Sequence, residues 1–207
     1  GGALLLLISF LISMNTGYTK LSAADTLRTI LGYGTETQAL ILFEYRLPRI
    51  VISVLIGAGL ALSGCIIQGV SQNPLAAPSL LGINAGSGLM VILYVMFFGA
   101  TSFLSIFTLP FLSLVGASFA AVVVYVLAYK KQEGISHIRL VLTGIAVQAG
   151  ISALTTVLVV TLDDTQFSFV AGWQAGQIWG ANWQFVLALL PWLCLLIPYV
   201  LLKARLL

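Results

Sequence analysis

From Ile50 to Tyr129 the chain runs 80 residues without an aspartate, glutamate, lysine, arginine or histidine. No ordinary water-facing domain keeps so much chain clear of charge. Wound as helix at about 1.5 Å per residue, that run is roughly 120 Å long, several bilayer cores deep. The chain therefore belongs in a membrane and crosses it repeatedly. Hydrophobic residues make up 60% of the 207 and charged residues 7%, where soluble domains carry about a quarter. The net charge of +3 is spread along the chain and gives no footprint for nucleic acid.

The pattern predicts an all-α, polytopic helical membrane protein with about six spans, read as a single transmembrane domain over residues 1–207. The spans are expected at about Ala3–Met14, Pro48–Val70, Leu80–Phe98, Leu109–Tyr129, Leu140–Leu162 and Trp183–Leu202. The first is short, and the chain stops abruptly after the last. Both ends read as cut from a longer protein. The leading apolar run has no basic flank or small-residue cleavage site, so it is not read as a signal peptide. Asn15–Tyr45 is expected outside the membrane with one or two short amphipathic helices, capped by Ser22 or Asp25 and ended by Gly32 and Gly34. Lys130–Arg139 reads as a polar loop holding the lone His137, and the segment from Asp163–Asp164 to Ala181 as semi-polar. Lys130, Lys131, Arg139, Lys203 and Arg205 on one side outnumber Lys20, Arg28, Arg46 and Arg49 on the other, which favours the first group in the cytoplasm. Trp173, Trp179 and Trp183 fit an interfacial aromatic belt. Cys65 and Cys194 sit in apolar runs and read as buried small hydrophobes.

Four groups of residues stand out. Arg46 and Arg49 bracket Pro48, which suits a first helical turn, whereas arginines there oppose the helix macrodipole. Such a pair could dock acidic groups of a soluble partner, or it could snorkel to lipid headgroups. Gly57 and Gly64 on one span, then Gly82 and Gly86 in a G-x-x-x-G, are expected to let helices pack closely. Asn73–Pro74, with Pro78 beyond, predicts a sharp turn that re-enters the membrane. Gln148, Ser152 and Thr155 recur at helical spacing, with Thr143 and Thr156 nearby; Gln68 and Asn84 are similar polar positions. That stripe could line a path for a large polar solute or simply bond neighbouring helices. It holds no charge, which argues against a proton- or ion-coupled pump.

Enzyme readings fare poorly. The adjacent Asp163 and Asp164 point in different directions at a span end, and the sequence has no HExxH, GxSxG or phosphate-cradling GxxxxGK[ST]. Any energy from ATP must come from another subunit. A secondary transporter or channel, the main rival class, would need an intramembrane charge or a filter loop.

The order and spacing of Arg46-Leu-Pro-Arg49, Gly64, Gln68-Gly69, Asn73-Pro74-Leu75-Ala76, Pro78, Leu81-Gly82 and Gly86 resemble the permease family of ABC importers for ferric siderophores, haem and vitamin B12. Arg139–Leu154 and Trp173–Trp183 look similar too; Gln177-Ile178-Trp179-Gly180 departs from the usual W-x-x-G-S element. The resemblance covers essentially the whole chain. It implies a permease of about ten helices that pairs, as a homo- or heterodimer, around a translocation path in a bacterial cytoplasmic (inner) membrane. It also implies two ATPase subunits inside, which bind ATP and magnesium, and a substrate-binding protein outside. This chain is then expected to bind no cofactor or metal itself. Arg46 and Arg49 would meet acids on the binding protein, and the span carrying Gln148 would line the path and form a gate with the Lys130–His137 loop. The coupling segment of the family follows the sixth span, beyond Leu207, so this piece is not expected to transport alone. An iron–siderophore complex is the expected solute, with haem or cobalamin as the alternatives.

Overall fold

A computed structural model describes residues 2–15, 22–99, 105–132, 134–178 and 180–203. Lys20, Trp179 and Arg205, used above for orientation and the belt, lie outside them. The helices are α1 (Gly2–Asn15), α2 (Ala23–Ile30), α3 (Glu36–Ala39), α4 (Leu47–Ser71), α5 (Ile83–Phe98), α6 (Ser105–Ala128), α7 (His137–Val159), α8 (Asp164–Gln174) and α9 (Trp183–Lys203). A π-helical stretch, Leu40–Arg46, joins α3 to α4, and a 3-10 turn, Pro78–Leu81, precedes α5. Each apolar helix stands within a few residues of an expected span. Four stretches are long and apolar enough to cross a membrane: Glu36–Ser71, Thr108–Ala128, His137–Val159 and Trp183–Lys203. The apolar α5 has 16 residues, fewer than the roughly 20 that a perpendicular crossing takes.

Contacts divide the chain into two compact units: Gly1–Ala58 with Ile178–Leu195, and Gly59–Gln177 with Leu196–Leu207. In the first unit, α2 starts as the sequence implies. Ser22 and Asp25 form a reciprocal capping box, and Gly32 follows the helix with positive φ. The second span differs from expectation. It begins at Glu36, capped by Thr35, and continues unbroken through the π-helical stretch to Ser71. Pro48 therefore lies well inside a helix, and Arg46 and Arg49 are not at a helix N-terminus. The macrodipole argument made for them does not apply, because the dipole's charge is confined to the terminal turn.

The π register explains how the proline is tolerated. The Leu47 N–H bonds to the Leu42 carbonyl, five residues back. The next bond in that register would run from residue 48 to the Phe43 carbonyl, but proline has no N–H to give. The Trp183 indole Nε1–H supplies the bond instead, donating to the Phe43 carbonyl at 2.9 Å. Trp183 thereby ties the start of α9 to the irregular stretch, where unsatisfied backbone would otherwise be costly. Around this tie Ile52, Ala181 and Val186 form a small core with Val51, Leu55 and Phe185 packed on it.

The second unit is built on α5, which packs against α6, α7 and α8. Val91, Ile92 and Val95 of α5 meet Leu109 of α6 and Val170 of α8, with Trp173 packed on the cluster. Thus Trp173 and Trp183, read above as belt residues, are engaged by protein. Gly86 and Gly116 form the α5–α6 crossing: a Cβ on Gly86 would come within 2.5 Å of the Gly116 carbonyl oxygen and 2.6 Å of Ala120 Cβ. Among the described residues, a Cβ added to Gly57 or Gly64 meets nothing within 4 Å. Cys65 and Cys194 are exposed rather than buried. Lipid tails are as apolar as a protein core, so a thiol in a span has no need of the interior.

Two polar segments acquired structure that composition did not announce. Lys130–Arg139 folds around a two-stranded antiparallel hairpin, with β1 (Tyr129–Lys130) pairing with β2 (Gly134–Ile135). His137 is the first residue of α7, not a loop residue. Arg139 Nη1 donates to the Ala128 carbonyl at 3.3 Å, placing a cation on the last carbonyls of α6 where the dipole favours it. Past α7, Asp163 caps α8, a helix the semi-polar reading missed. The Asp163 carboxylate accepts from the Gln166 N–H at 2.8 Å and the Thr165 hydroxyl at 2.6 Å. The Gln166 amide nitrogen reaches the Val95 carbonyl at 3.2 Å and fastens α8 to α5.

Those two bonds, the Gln166 N–H foremost, hold the Asp163 carboxyl below its ordinary value of 3.8. The cap is therefore at full strength above that value and is lost as pH falls through the lower folded-state value. Asp163→Ala is expected to speed hydrogen exchange of the first-turn amides of α8 several-fold at neutral pH. The wild-type protein should show the same loss only in acid below the carboxylate range. Unchanged exchange in the variant would remove Asp163 as the cap.

Candidate functional site

The stripe on α7 opens into a hollow. Gln148, Ser152 and Thr155, spaced i, i+4 and i+7, share one helix face and line a cleft of about 500 Å³ in the second unit. Asn84, Ser87 and Gly88 of α5 form a second wall, and Trp173 and Gln174 of α8 a third. Thr156 also borders the cleft, its hydroxyl turned back to the Ser152 carbonyl at 2.9 Å.

Gly82 sets the first wall against the second. It has φ +69 and ends the 3-10 turn just before α5. A Cβ there would stand 3.4 Å from both the Gly144 carbonyl oxygen and the Gln148 backbone nitrogen. Positive φ favours glycine, and here the bare backbone also rests on the turn of α7 that carries Gln148. The spacing of Gly82 and Gly86 is therefore not a single G-x-x-x-G face: Gly82 serves α7 from outside the helix, while Gly86 serves α6. The turn before it is held locally. Gln72 adopts φ 50 and its side-chain amide donates to the Gly69 carbonyl at 2.7 Å. Asn73 Oδ1 accepts from the Leu75 N–H at 2.9 Å across Pro74. The Asn73–Pro74 turn signal is thus realised as a side-chain-stabilised turn leading into the Pro78 3-10 turn.

Among the described residues, the cleft's lining carries no ionised side chain. Three carboxamides from three helices, four hydroxyls and a tryptophan face offer hydrogen bonds and a stacking surface, without a fixed charge that would hold a solute tightly. Its volume is in the range of small-molecule sites. Such a lining can receive a polar solute and release it again. Among the described residues it brings together no nucleophile with a base, and no acid–base pair. Sequence spacing found Gln148, Ser152 and Thr155 and noted Asn84. It missed Ser87 of α5, and it missed Gln174 and the cleft-facing role of Trp173 because α8 was not foreseen.

The arginine pair lies in the first unit. Arg46 closes the π-helical stretch and is 9% exposed. Arg49 is half-buried and borders a mostly apolar hollow with Ser9 and Ser13 of α1 and Ser53 and Gly57 of α4. The two arginines are thus unequal in access, which their i, i+3 spacing did not indicate.

Residues 5–207 match the FecCD transport family. The chain is 47% identical over 206 residues to the iron(3+)-hydroxamate import system permease protein FhuG of Bacillus subtilis (strain 168), covering 98% of this chain and 61% of that protein. It is 40% identical over 206 residues to the achromobactin transport system permease protein CbrC of Dickeya dadantii (strain 3937), covering 98% of this chain and 57% of that protein. A solved structure described as an inward-facing conformation of a metal-chelate type ABC transporter superposes with a TM-score of 0.69 at 28% identity, over 91% of this chain and 56% of that one. The chain thus spans about three-fifths of the length of these curated relatives.

Proposed function

Since this multi-pass chain belongs to the FecCD transport family, we propose that it is the larger part of an ABC-importer permease that admits ferric siderophores through the bacterial cytoplasmic membrane. The observation that carries the reading is the uncharged polar cleft between α5, α7 and α8. A ferric siderophore is large and studded with oxygen acceptors. Carboxamide and hydroxyl groups can bond it weakly at many points, and Trp173 can lie against its apolar parts. Weak, distributed bonding suits a site that must open alternately to each side of the membrane. The relatives named for iron–hydroxamate and achromobactin favour a siderophore over haem or cobalamin.

In this reading the chain performs no covalent chemistry and holds no cofactor. ATP and magnesium bind two separate ATPase subunits, whose cycle drives the rocking of a pair of permease subunits. A soluble binding protein delivers the solute from outside, and Arg46 and Arg49 are the groups proposed to meet its acidic residues. The burial of Arg46 favours Arg49 for most of that proposed contact.

The test is uptake of radiolabelled iron, given as a panel of ferric siderophores, in cells with and without the full-length gene. Labelled haem and cobalamin are run in parallel. Loss of one ferric siderophore alone is the expected result; loss of haem or cobalamin uptake would replace the solute, and no loss at all would overturn the reading. A second arm uses Gln148→Trp in the full-length protein. The added ring occupies the cleft, and uptake is expected to fall about tenfold or more while the assembled complex is recovered in normal yield. Normal uptake would return the stripe to helix packing.

A further inference from the structure

Helix α2 presents the wrong side to its protein neighbours for a soluble element. At 100° per residue, Ile30 and Leu31 fall within about 60° of Leu27, forming a continuous apolar arc. Leu27, Ile30 and Leu31 are 60%, 51% and 68% exposed, whereas Thr29 on the opposite side and Thr26 at the flank next to Ile30 are 3% and 5% exposed. The threonines tolerate burial because their hydroxyls bond within the helix. Thr26 Oγ1 donates to the Ser22 carbonyl at 3.1 Å and Thr29 Oγ1 to the Asp25 carbonyl at 2.7 Å. The hydroxyl-bearing side is therefore compatible with protein contact, and the leucine–isoleucine arc is left outside.

What covers the arc follows from where α2 sits. It packs against α1 and α3, the first an apolar helix and the second the start of the stretch Glu36–Ser71 that is long and apolar enough to cross the membrane. Leu4, Leu5, Ile8 and Ile12 of α1 are themselves exposed. Beside the arc, Arg28 is exposed at its polar edge, and Tyr33 is exposed just past the helix. An apolar arc with arginine and tyrosine at its margins, fastened to an apolar helix and to the start of a spanning stretch, matches the bilayer interface. There cations reach phosphates and tyrosine sits at headgroup depth.

We infer that α2 lies in the plane of the membrane surface as a short lipid anchor, with Leu27, Ile30 and Leu31 sunk below the headgroups and Arg28 at the phosphates. The inference needs only that the stretch Glu36–Ser71 crosses a membrane and is independent of the transport reading.

The test is spin-label accessibility in the full-length protein reconstituted in phosphatidylcholine–phosphatidylglycerol vesicles. Cys65 and Cys194 are replaced by serine, and single cysteines are placed by Leu27→Cys, Arg28→Cys and Leu31→Cys. Collision with oxygen, which partitions into lipid, is compared with collision with a water-soluble nickel chelate. Labels at 27 and 31 should favour oxygen over the chelate several-fold more than the label at 28. Chelate access equal at all three positions would show the arc in water and overturn the inference. Labels at 27 and 31 shielded from both reagents would also overturn it, showing that protein covers the arc, whether a second copy or another subunit. Each substitution is at an exposed position, and far-ultraviolet circular dichroism and vesicle incorporation verify that the labelled proteins are folded.

Discussion

Gly116→Val is expected to drive α5 and α6 apart and to destabilise the second unit more than any other single substitution considered. A Cβ at Gly116 would collide with the Gly86 carbonyl oxygen and with Met90. The methionine could swing aside, but the carbonyl belongs to a helix backbone and cannot. The reverse approach is equally closed, since a Cβ at Gly86 would press on the Gly116 carbonyl oxygen. Neither helix can yield without moving as a body, and α5 also carries Val91, Ile92 and Val95, the centre of the core. Overpacking costs typically about 1–3 kcal/mol, and a backbone clash belongs at or beyond the top of that range. Thermal unfolding of the purified full-length protein in detergent should show a clear fall in midpoint. Gly57→Val is the comparison, because its added carbon enters open space. It should leave the midpoint nearly unchanged. Equal losses for the two variants, or none for Gly116→Val, would dismiss the crossing as the determinant.

The second large effect concerns the arginines, where the structure separates two residues that sequence treated alike. Arg49→Glu is expected to weaken docking of the binding protein by about ten- to a hundredfold at low salt, about 1.4–2.7 kcal/mol. The loss should shrink as salt rises, because a partly exposed pair is screened. Arg46→Glu should act differently. Its side chain is buried, so a carboxylate there is taken from water into a site built around a cation. The expected result is poor recovery of folded protein, with a smaller docking defect per folded molecule. Affinity measured on the assembled transporter at two salt concentrations separates these outcomes. Unchanged docking in Arg49→Glu would defeat the docking role, and a salt-independent loss would point to a folding defect instead.

The helices were legible because a membrane imposes a simple rule. Backbone in hydrocarbon must bond to itself, so each crossing needs a long apolar run with punctuation at its ends. The Asn73–Pro74 turn, Ser22 as a helix cap and Gly32 past the helix end are punctuation of that kind, and each sits where the sequence placed it. The features that escaped detection obey no local rule. Pro48 looks like a helix start, yet Trp183, 140 residues beyond Phe43, gives the Phe43 carbonyl the hydrogen bond that the proline cannot make. Helix α8 is too mixed in composition to announce itself, and it is fixed by Asp163 at its cap and by Gln166 reaching α5. Small residues were read as packing sites wherever they clustered. Gly57 and Gly64 nevertheless meet open space, while Gly116, which no motif marked, meets a carbonyl oxygen.

The sequence by itself determined the solvent, the long apolar helices and the face of α7 on which Gln148, Ser152 and Thr155 stand, since these depend on composition and a period of 3.6 residues. Only the tertiary structure decided that this face looks into a cleft completed by Asn84 and Trp173, that Gly82 sets α5 against α7, and that Arg46 is buried while Arg49 is half-exposed. Periodicity fixes the direction a side chain takes from its own helix. What it meets there depends on how segments distant in sequence pack, and on whether each backbone can come close enough.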